Sequence, residues 1–523
     1  MTMNEKTEDN TWVLTLKLSK PELRDNTSDA ERLSVALKQR TGAGRFRIGL
    51  DLLQKIPSIV RKAGYHVTCV VFRDGDSWEL VSVKPAEDKT VIAGLAVDLG
   101  TTRVVIRLLD LERGEILGEM SFDNPQIRIG PDVLTRIHFA EKENGLADLK
   151  SMVIDGINDH LRLITSQAGL GSESVQLVTV SGNTIMTHLF LGIEPRYIIR
   201  EPYIPAVNRP GVFSASELGI TMFDHGRVFV FPNIGSYFGG DLISGILYSN
   251  LHRAEDLSIL VDVGTNAEVV LGNRDFLIAC AGAAGPALEG GVSSIGMMAG
   301  PGAIDHVGLS HDGSLVIHTI DELKPVGICG SGFIDLAAAL FMTGAIDIRG
   351  RIVSDNPRIR VDVVDGMKHL VIVPGEMSGT EQDIAISQAS LDSLIRSKAA
   401  MFTILETIAM SVGVSLADLS TFYVAGTFGS YINPRSAITI GMIPDLPIDT
   451  YKTLGNSSLG GAAMLLENRQ HYDEVDRIRD SITYLELNVD QGFMNRFSGA
   501  KFLPHTNPDL FPSVSVGADF RNH

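Results

Sequence analysis

Two short turns, 164 residues apart, each combine an aspartate, a glycine and small hydrogen-bonding side chains: 98–102 and 262–266. Such a glycine lets backbone N–H groups approach phosphate oxygens closely, and the neighbouring hydroxyls donate to the same oxygens. The aspartate is a suitable ligand for Mg²⁺, directly or through water. The two turns therefore predict a site for a phosphate and its metal.

Each turn joins two apolar strands. Gly94 to Asp98 runs into Arg103 to Leu109, and Leu257 to Asp262 runs into Ala267 to Leu271. One such turn is weak evidence, because Asp and Gly are ordinary turn residues. Two copies on buried-type strands favour two related half-domains that close on one nucleotide. Neither turn has the sequence of a Walker A loop. Neither is a dinucleotide-binding fingerprint, because a strand follows each turn where that fingerprint requires a helix.

The candidate residues have distinct predicted roles. Asp98 and Asp262 are predicted to hold Mg²⁺ and to position water, with a turn-capping role as the alternative. Asp241 is predicted either to position the attacking water or to cap a helix. Glu268 is predicted either to touch Mg²⁺ or ribose, or to be a solvated strand residue. The predicted phosphate donors and backbone contacts are Gly100, Thr101, Thr102, Gly264, Thr265 and Asn266.

A second glycine-rich segment, Gly330-Ser331-Gly332, precedes a predicted helix. Its N–H groups would form an anion site at the helix N-terminus. The alternative is tight strand-to-helix packing. Cys329 beside it is predicted to be a small buried residue, and His188 a helix residue rather than a cobalt ligand.

Composition limits the classes of partner. The 523 residues carry a net charge of −18, which argues against nucleic acid and anionic membranes as partners. No apolar run reaches the roughly 18 residues of a spanning helix, and the polar start is unlike a signal peptide, so a cytoplasmic location is predicted. Cys69, Cys280 and Cys329 are far apart and fewer than an iron–sulfur cluster needs, so no such cluster is expected on this chain.

The pattern along the chain predicts an α/β protein with four segments. They are a disordered tail (1–11), a small α+β domain (12–90), and two α/β half-domains (91–256 and 257–523), the second with a C-terminal extension. Within the small domain, Ser28 and Glu31 form a capping box, and Asp74-Gly75 marks a hairpin. Later helices are predicted at 154–168, 332–342 and 380–412.

These motifs resemble the acetate kinase, sugar kinase, Hsp70 and actin superfamily. The two turns match its phosphate motifs, and the helices after Asp241 and near Gly461 match its connecting helices. The turn with Gly426, Thr427 and Gly429 matches the adenosine motif, which implies that adenine lies against its backbone. The resemblance implies an actin-like ATPase fold of two related half-domains, here preceded by the small α+β domain.

Longer stretches resemble a narrower family, the ATP-dependent reductive activators of corrinoid proteins. The resemblance runs from about Trp12 to Ser513, and the stretches are 124–126, 182–189, 284–290, 301–304, 327–332 and 502–506. It implies a homodimeric ATPase that uses Mg-ATP. Such a protein returns an inactive cob(II) corrinoid protein of a methyltransferase system to the cob(I) state.

The sequence differs from that family in three ways: one domain is missing, one residue is replaced, and one four-residue segment has a different sequence. Members commonly carry an N-terminal [2Fe–2S] ferredoxin domain, which is missing here. A separate low-potential ferredoxin-type donor is therefore expected, unless the chain is a truncated version or has lost the redox role. Arg103 stands where members often have threonine, and Ile129 to Asp132 differs from the usual Tyr-Gly-Glu-Asp.

Two other functions stay open at this point. One is a small-molecule kinase on the same fold, which would need a carboxylate base at a substrate pocket. The other is a nucleotide-dependent regulatory or binding protein without turnover. The sequence does not identify the corrinoid protein, the methyl donor or the electron donor.

Overall fold

The computed structural model describes residues 10–264, 267–282, 295–354, 359–426, 431–487 and 492–514. The chain divides into two compact units. Unit 1 comprises Met1–Tyr248 with Ser457–Asp480, and unit 2 comprises Ser249–Asn456 with Ser481–His523.

The helices of the described residues are, in chain order, α1 Asp29–Thr41, α2 Leu50–Lys62, α3 Val133–Ala140, α4 Gly145–Gln167, α5 Thr184–Leu191, α6 Ala215–Leu218, α7 Gly240–Ser249, α8 Gly330–Met342, α9 Gln388–Ser411, α10 Pro434–Thr439, α11 Ser457–Glu467, α12 His471–Ser481 and α13 Phe493–Ala500.

The strands are β1 Val13–Lys17, β2 Phe46–Ile48, β3 His66–Asp74, β4 Ser77–Pro85, β5 Ala93–Leu99, β6 Arg103–Asp110, β7 Glu115–Asp123, β8 Val175–Gly182, β9 Gly211–Ser214, β10 Arg227–Val230, β11 Ser258–Val263, β12 Ala267–Gly272, β13 Leu277–Gly282, β14 Ala303–Leu309, β15 Leu315–Thr319, β16 Gly327–Ile328, β17 Val361–Val364, β18 Met367–Val373, β19 Ile384–Ser387, β20 Thr421–Ala425, β21 Tyr451–Gly455 and β22 Ile482–Tyr484.

Five of the six strands in the central sheet of each unit share one topology. In unit 1 the order β7-β6-β5 is antiparallel, and β8 and β10 then continue in parallel from β5. In unit 2 the order β13-β12-β11 is antiparallel, and β20 and β21 continue in parallel from β11. Each predicted turn lies between the two antiparallel strands at the centre of its sheet. This repetition confirms the prediction of two related α/β halves.

The N-terminal part of unit 1 is a separate four-stranded sheet, β1-β3-β4-β2, with α1 and α2. The predicted capping box is present, because Ser28 and Glu31 each bond the other's backbone N–H at the start of α1. This sheet is attached to α11 and α12. Trp12 Nε1 donates to the Leu465 carbonyl at 2.7 Å, and the Gly75 N–H donates to the Tyr472 hydroxyl.

Two helix predictions need correction. The predicted helix 154–168 in fact begins at Gly145. Leu149 and Val153 extend its buried face towards the N-terminus, so the helix starts more than two turns earlier than predicted. The prediction of helix from 380 was wrong for its first residues, since 384–387 form β19. Helix α9 begins only after Ser387, whose side chain accepts the Ser390 N–H and caps it.

Helices α7 and α11 pack at close range through two glycines. A Cβ on Gly461 would lie 2.1 Å from the Ser244 carbonyl oxygen, and one on Gly460 would lie 2.5 Å from the Tyr248 ring. We therefore expect Gly461→Ala to lower the free energy of unfolding by about 1–3 kcal/mol, despite the better helix propensity of alanine. Urea denaturation measures this. Gly44→Ala is the control, because nothing lies within 4 Å of its added Cβ; equal effects of the two changes would contradict the packing argument.

Candidate functional site

The first turn, in unit 1, is shaped by close backbone contacts. Asp98 is half-buried at the end of β5, and its Oδ1 accepts a hydrogen bond from Ser458 Oγ at 2.7 Å. Gly100 must lack a side chain, because a Cβ there would lie 2.3 Å from the Arg103 carbonyl oxygen. Thr102 is exposed. The turn therefore presents a carboxylate and a threonine on a constrained backbone.

Three polar side chains hold this turn from outside. Asn124 Nδ2 donates to the Gly100 carbonyl at 2.9 Å, and Asn183 Nδ2 donates to Thr101 Oγ1 at 3.0 Å. Arg136 donates to the Thr101 carbonyl at 2.7 Å. These contacts restrain both the backbone and the hydroxyl that would face a phosphate.

Arg136 is an unusual support because its side chain is fully buried. Besides Thr101, its guanidinium donates to the Gly130 carbonyl at 3.0 Å and to Gln126 Oε1 at 3.2 Å. Burial lowers the pKa of Arg136 to about 10, which still leaves it charged near neutral pH. The segment whose sequence differs from the usual pattern, Ile129 to Asp132, thus supplies one of the acceptors.

Asp241 lies close to the first turn. Helix α7 begins at Gly240, and the carboxylate of Asp241 in its first turn accepts the Leu242 N–H at 2.9 Å, so the capping alternative stays open beside the water-positioning role. A Cβ on Gly239 would lie 2.3 Å from Asn183 Cα and 2.6 Å from Asp241 Oδ1. Gly239 therefore lets the start of α7 approach the same asparagine that bonds Thr101. Unit 1 brings Asp98, Thr101 and Asp241 into one region.

The second turn, in unit 2, is described in part. Asp262 is half-buried and faces Glu268 across the β11–β12 ladder, while Gly264 is exposed. Gly426 has φ of +85°, and a Cβ on it would lie 2.9 Å from Asp262 Oδ1. Asp262 and Gly426 are thus neighbours. The predicted residues Thr265, Asn266, Thr427 and Gly429 lie outside the described residues.

The segment Gly330-Ser331-Gly332 has a more structural environment. All three residues are buried in the first turn of α8. Ser331 Oγ donates to the Asp305 carbonyl at 2.9 Å, and a Cβ on Gly332 would lie 2.3 Å from the Ile304 carbonyl oxygen. These contacts favour the packing alternative over an anion site.

The remaining candidates are buried. His188 lies in α5 with its Nδ1 2.7 Å from the Thr184 carbonyl oxygen, and burial lowers its pKa. This environment favours the helix residue over the cobalt ligand. Cys69, Cys280 and Cys329 are all buried thiols, and burial raises the pKa of Cys280 to about 12.

Within the described ranges, no group of three or more His, Cys, Asp and Glu is arranged to hold a metal ion. Among the same residues, no helix is both long and apolar enough to cross a membrane.

Sequence analysis missed the supporting residues Asn124, Gln126, Arg136, Asn183 and Ser458. Asn124, Gln126 and Asn183 lie in two of the stretches that carry the family resemblance, 124–126 and 182–189. Membership of those stretches was the only indication in the sequence that these three residues matter. Arg136 has no signal in the local sequence, whereas Ser458 lies in the stretch near Gly461 that resembles the second connecting helix.

Comparison with known proteins identifies related sequences along almost the whole chain. Residues 256–515 match the C-terminal domain of RACo, the ASKHA domain, which confirms the predicted actin-like fold. Residues 93–254 match the RACo middle region, and residues 6–90 match the RACo linker region.

Individual relatives agree with these matches. The corrinoid activation enzyme RamQ of Eubacterium limosum is 28% identical over 471 residues, which are 86% of this chain and 79% of RamQ. The [Co(II) methylated amine-specific corrinoid protein] reductase of Methanosarcina barkeri is 26% identical over 434 residues, 77% of this chain and 75% of the reductase. A solved structure of a reductive activator for corrinoid,iron-sulfur protein has a TM-score of 0.83 and 36% identity, and the match covers 98% of this chain and 84% of that one.

Proposed function

This chain belongs to the RACo family, and we propose that it couples ATP hydrolysis to the reduction of a corrinoid protein from cob(II) to cob(I). The observation that carries the ATPase part is the pair of aspartate–glycine turns at matching places in two sheets that agree in the topology of five strands. The corrinoid part rests on the activities for which the relatives are named.

The residues present fit a nucleotide with its metal. Gly100 and Gly426 are positions where an added Cβ would collide with the backbone or with Asp262, so the backbone stays accessible beside each carboxylate. A bound Mg²⁺ would neutralise charge on the transferred phosphoryl group. Asp98 and Asp262 would hold the cation, and Thr101 and Thr102 would donate to phosphate oxygens.

In this proposal Asp241 orients the water that attacks the terminal phosphate. Its place beside Asn183, which also bonds Thr101, puts a carboxylate near the predicted phosphate site. Catalysis would then be electrostatic and positional, with charge, backbone N–H groups and an oriented water around the phosphate. Gly330 to Gly332 would contribute through packing, and Gly426, Thr427 and Gly429 would lie against the adenosine.

ATP has a thermodynamic role in this scheme. Each 59 mV by which a one-electron donor falls short of the corrinoid potential is a tenfold penalty in the equilibrium constant. Coupling to hydrolysis would supply that energy. We further propose a cytoplasmic homodimer that serves the corrinoid protein of a methyltransferase system and takes its electron from a separate ferredoxin-type donor.

The test is ATP hydrolysis with and without a cob(II) corrinoid protein, in the presence of a low-potential reductant and with the visible spectrum followed. We expect the corrinoid protein to stimulate hydrolysis and the cob(I) band to appear only with ATP. A non-hydrolysable analogue in place of ATP is the control. Stoichiometric phosphorylation of a metabolite would instead indicate a kinase, and tight ATP binding without turnover would indicate a regulatory protein.

A further inference from the structure

A row of hydroxyl groups runs through unit 1 behind the first turn. Ser458 Oγ lies 2.7 Å from Asp98 Oδ1 and 3.0 Å from Ser181 Oγ. Ser181 Oγ lies 2.8 Å from Ser244 Oγ, which lies 2.9 Å from the backbone oxygen of Asp241. We call Ser458, Ser181 and Ser244 the serine relay. It connects two residues that the proposed function assigns to the cation and to the attacking water.

The relay is built from three separate elements and is closed to solvent. Ser458 lies on α11, Ser181 on β8 and Ser244 on α7, and the three are 6%, 0% and 0% exposed. Ser181 is also the direct partner of Asp98 in the β5–β8 ladder, which fixes their relative position. The hydroxyls therefore have each other, the Asp98 carboxylate and the Asp241 carbonyl as their hydrogen-bond partners.

Counting protons shows that the relay has four arrangements. A serine hydroxyl carries one proton and so donates one hydrogen bond. The row ends on an acceptor at both sides, so with Asp98 ionised three protons serve four contacts, and one contact always lacks a proton. That contact can be any of the four: in three arrangements Ser458 donates to Asp98, and in the fourth all three hydroxyls point towards the Asp241 carbonyl.

The charge at Asp98 decides between these arrangements. A hydrogen bond to an ionised carboxylate is about twice as strong as one between neutral groups, so without a cation Ser458 donates to Asp98. A divalent cation on Asp98 removes that advantage and favours the fourth arrangement, in which all three hydroxyls point towards Asp241. No proton is transferred in this change, because each hydroxyl only rotates about its own C–O bond.

We propose that the serine relay consists of positioning residues that couple a divalent cation at Asp98 to the first turn of α7, where Asp241 lies. This inference rests on the proposed function, because it takes the cation and the water to be those of ATP hydrolysis. It adds three residues that touch neither the phosphate nor the metal.

Thr179 offers a matched control on the same strand. It is fully buried two residues before Ser181, and its hydroxyl donates to the Ala462 carbonyl of α11 at 2.8 Å. Thr179→Val therefore deletes a buried hydroxyl between the same two elements without touching the relay. Ser181→Ala and Ser244→Ala delete relay hydroxyls.

The readout is the Mg²⁺ concentration that gives half-maximal binding of a non-hydrolysable ATP analogue, measured by calorimetry. Because one hydrogen bond is worth about 1 kcal/mol, we expect Ser181→Ala and Ser244→Ala each to raise this concentration about fivefold. Thr179→Val should lower the melting temperature about as much but leave the Mg²⁺ requirement unchanged. Ser244→Ala is the stricter test, because Ser244 does not touch Asp98.

Cooperation along the relay gives a second readout. In the double variant Ser458→Ala with Ser244→Ala, the effect should be smaller than the product of the single effects. A Mg²⁺ requirement in Ser244→Ala equal to that of Thr179→Val, or a simple product in the double variant, would overturn the relay. Wild-type protein that binds no analogue at any Mg²⁺ concentration would overturn the proposed function as well. Normal binding without corrinoid reduction would overturn only the corrinoid part of that function.

Discussion

Replacing Asp98 with asparagine should lower the rate of ATP hydrolysis by a factor of about 10²–10³, the usual loss when one preorganised electrostatic group is removed from an active site. The amide keeps the size of the carboxylate and still accepts a hydrogen bond from Ser458. It loses the negative charge that would hold Mg²⁺. The measurement is steady-state phosphate release at saturating ATP and Mg²⁺.

Asp110→Asn is the matched control for this prediction. Asp110 ends β6 in the same sheet, is 4% exposed and accepts the N–H groups of Glu112 and Arg113. Its charge is removed by the same substitution, yet it lies at the end of the hairpin away from the turn. We expect Asp110→Asn to lower stability and to retain hydrolysis. Wild-type hydrolysis by Asp98→Asn would show that this carboxylate is only a turn residue.

Replacing Arg136 with methionine should lower the free energy of unfolding by about 3–5 kcal/mol, the range for breaking a buried charged network. Methionine has a similar length and fills the space. The carbonyls of Thr101 and Gly130 and the side chain of Gln126 would then lose a buried donor. Each buried acceptor left without a partner costs roughly 1–3 kcal/mol, and removing the buried charge offsets part of the total.

Arg162→Met is the control for this effect. Arg162 is exposed on α4 and pairs with Asp159 on the surface, where such pairs contribute about 0–1 kcal/mol. Denaturant titrations of the two variants, followed by circular dichroism, compare them directly. We also expect Arg136→Met to bind ATP more weakly, because the Thr101 carbonyl would lose the hydrogen bond from Arg136 that restrains the turn. Equal stability of the two variants would mean that water or a rearranged side chain replaces the guanidinium.

The two hairpins could be predicted from sequence because their evidence is local. An apolar strand, a strand-ending aspartate and a turn glycine all lie within a few residues, and the structure has hairpins at both Asp98 and Asp262. The capping box at Ser28 was predictable for the same reason. The ends of helices were less predictable. The strand 384–387 and the helix after it are both partly apolar, so the sequence pattern predicted one continuous helix over both.

The supports of the candidate site could not be predicted locally. The serines of the relay come from positions 181, 244 and 458, and nothing beside any of them indicates that the three would meet. Arg136 follows a threonine on a short helix, and nothing beside it indicates that it would be fully buried. Their roles depend on which distant elements meet, and that is decided by packing across the whole unit.

The return of Ser457–Asp480 to unit 1 has a consequence for how the protein is made. Ser457 follows Tyr248 by 209 residues, so unit 1 cannot be completed until most of the chain has left the ribosome. At about 5–20 residues per second, that interval lasts roughly 10–40 seconds. During this interval α11 has not yet been made. The face of β5 and β8 that α11 later covers therefore has no native partner, and neither has the Trp12 side chain. Newly made chains should therefore depend on chaperones during synthesis, and fragments that stop before residue 457 should aggregate.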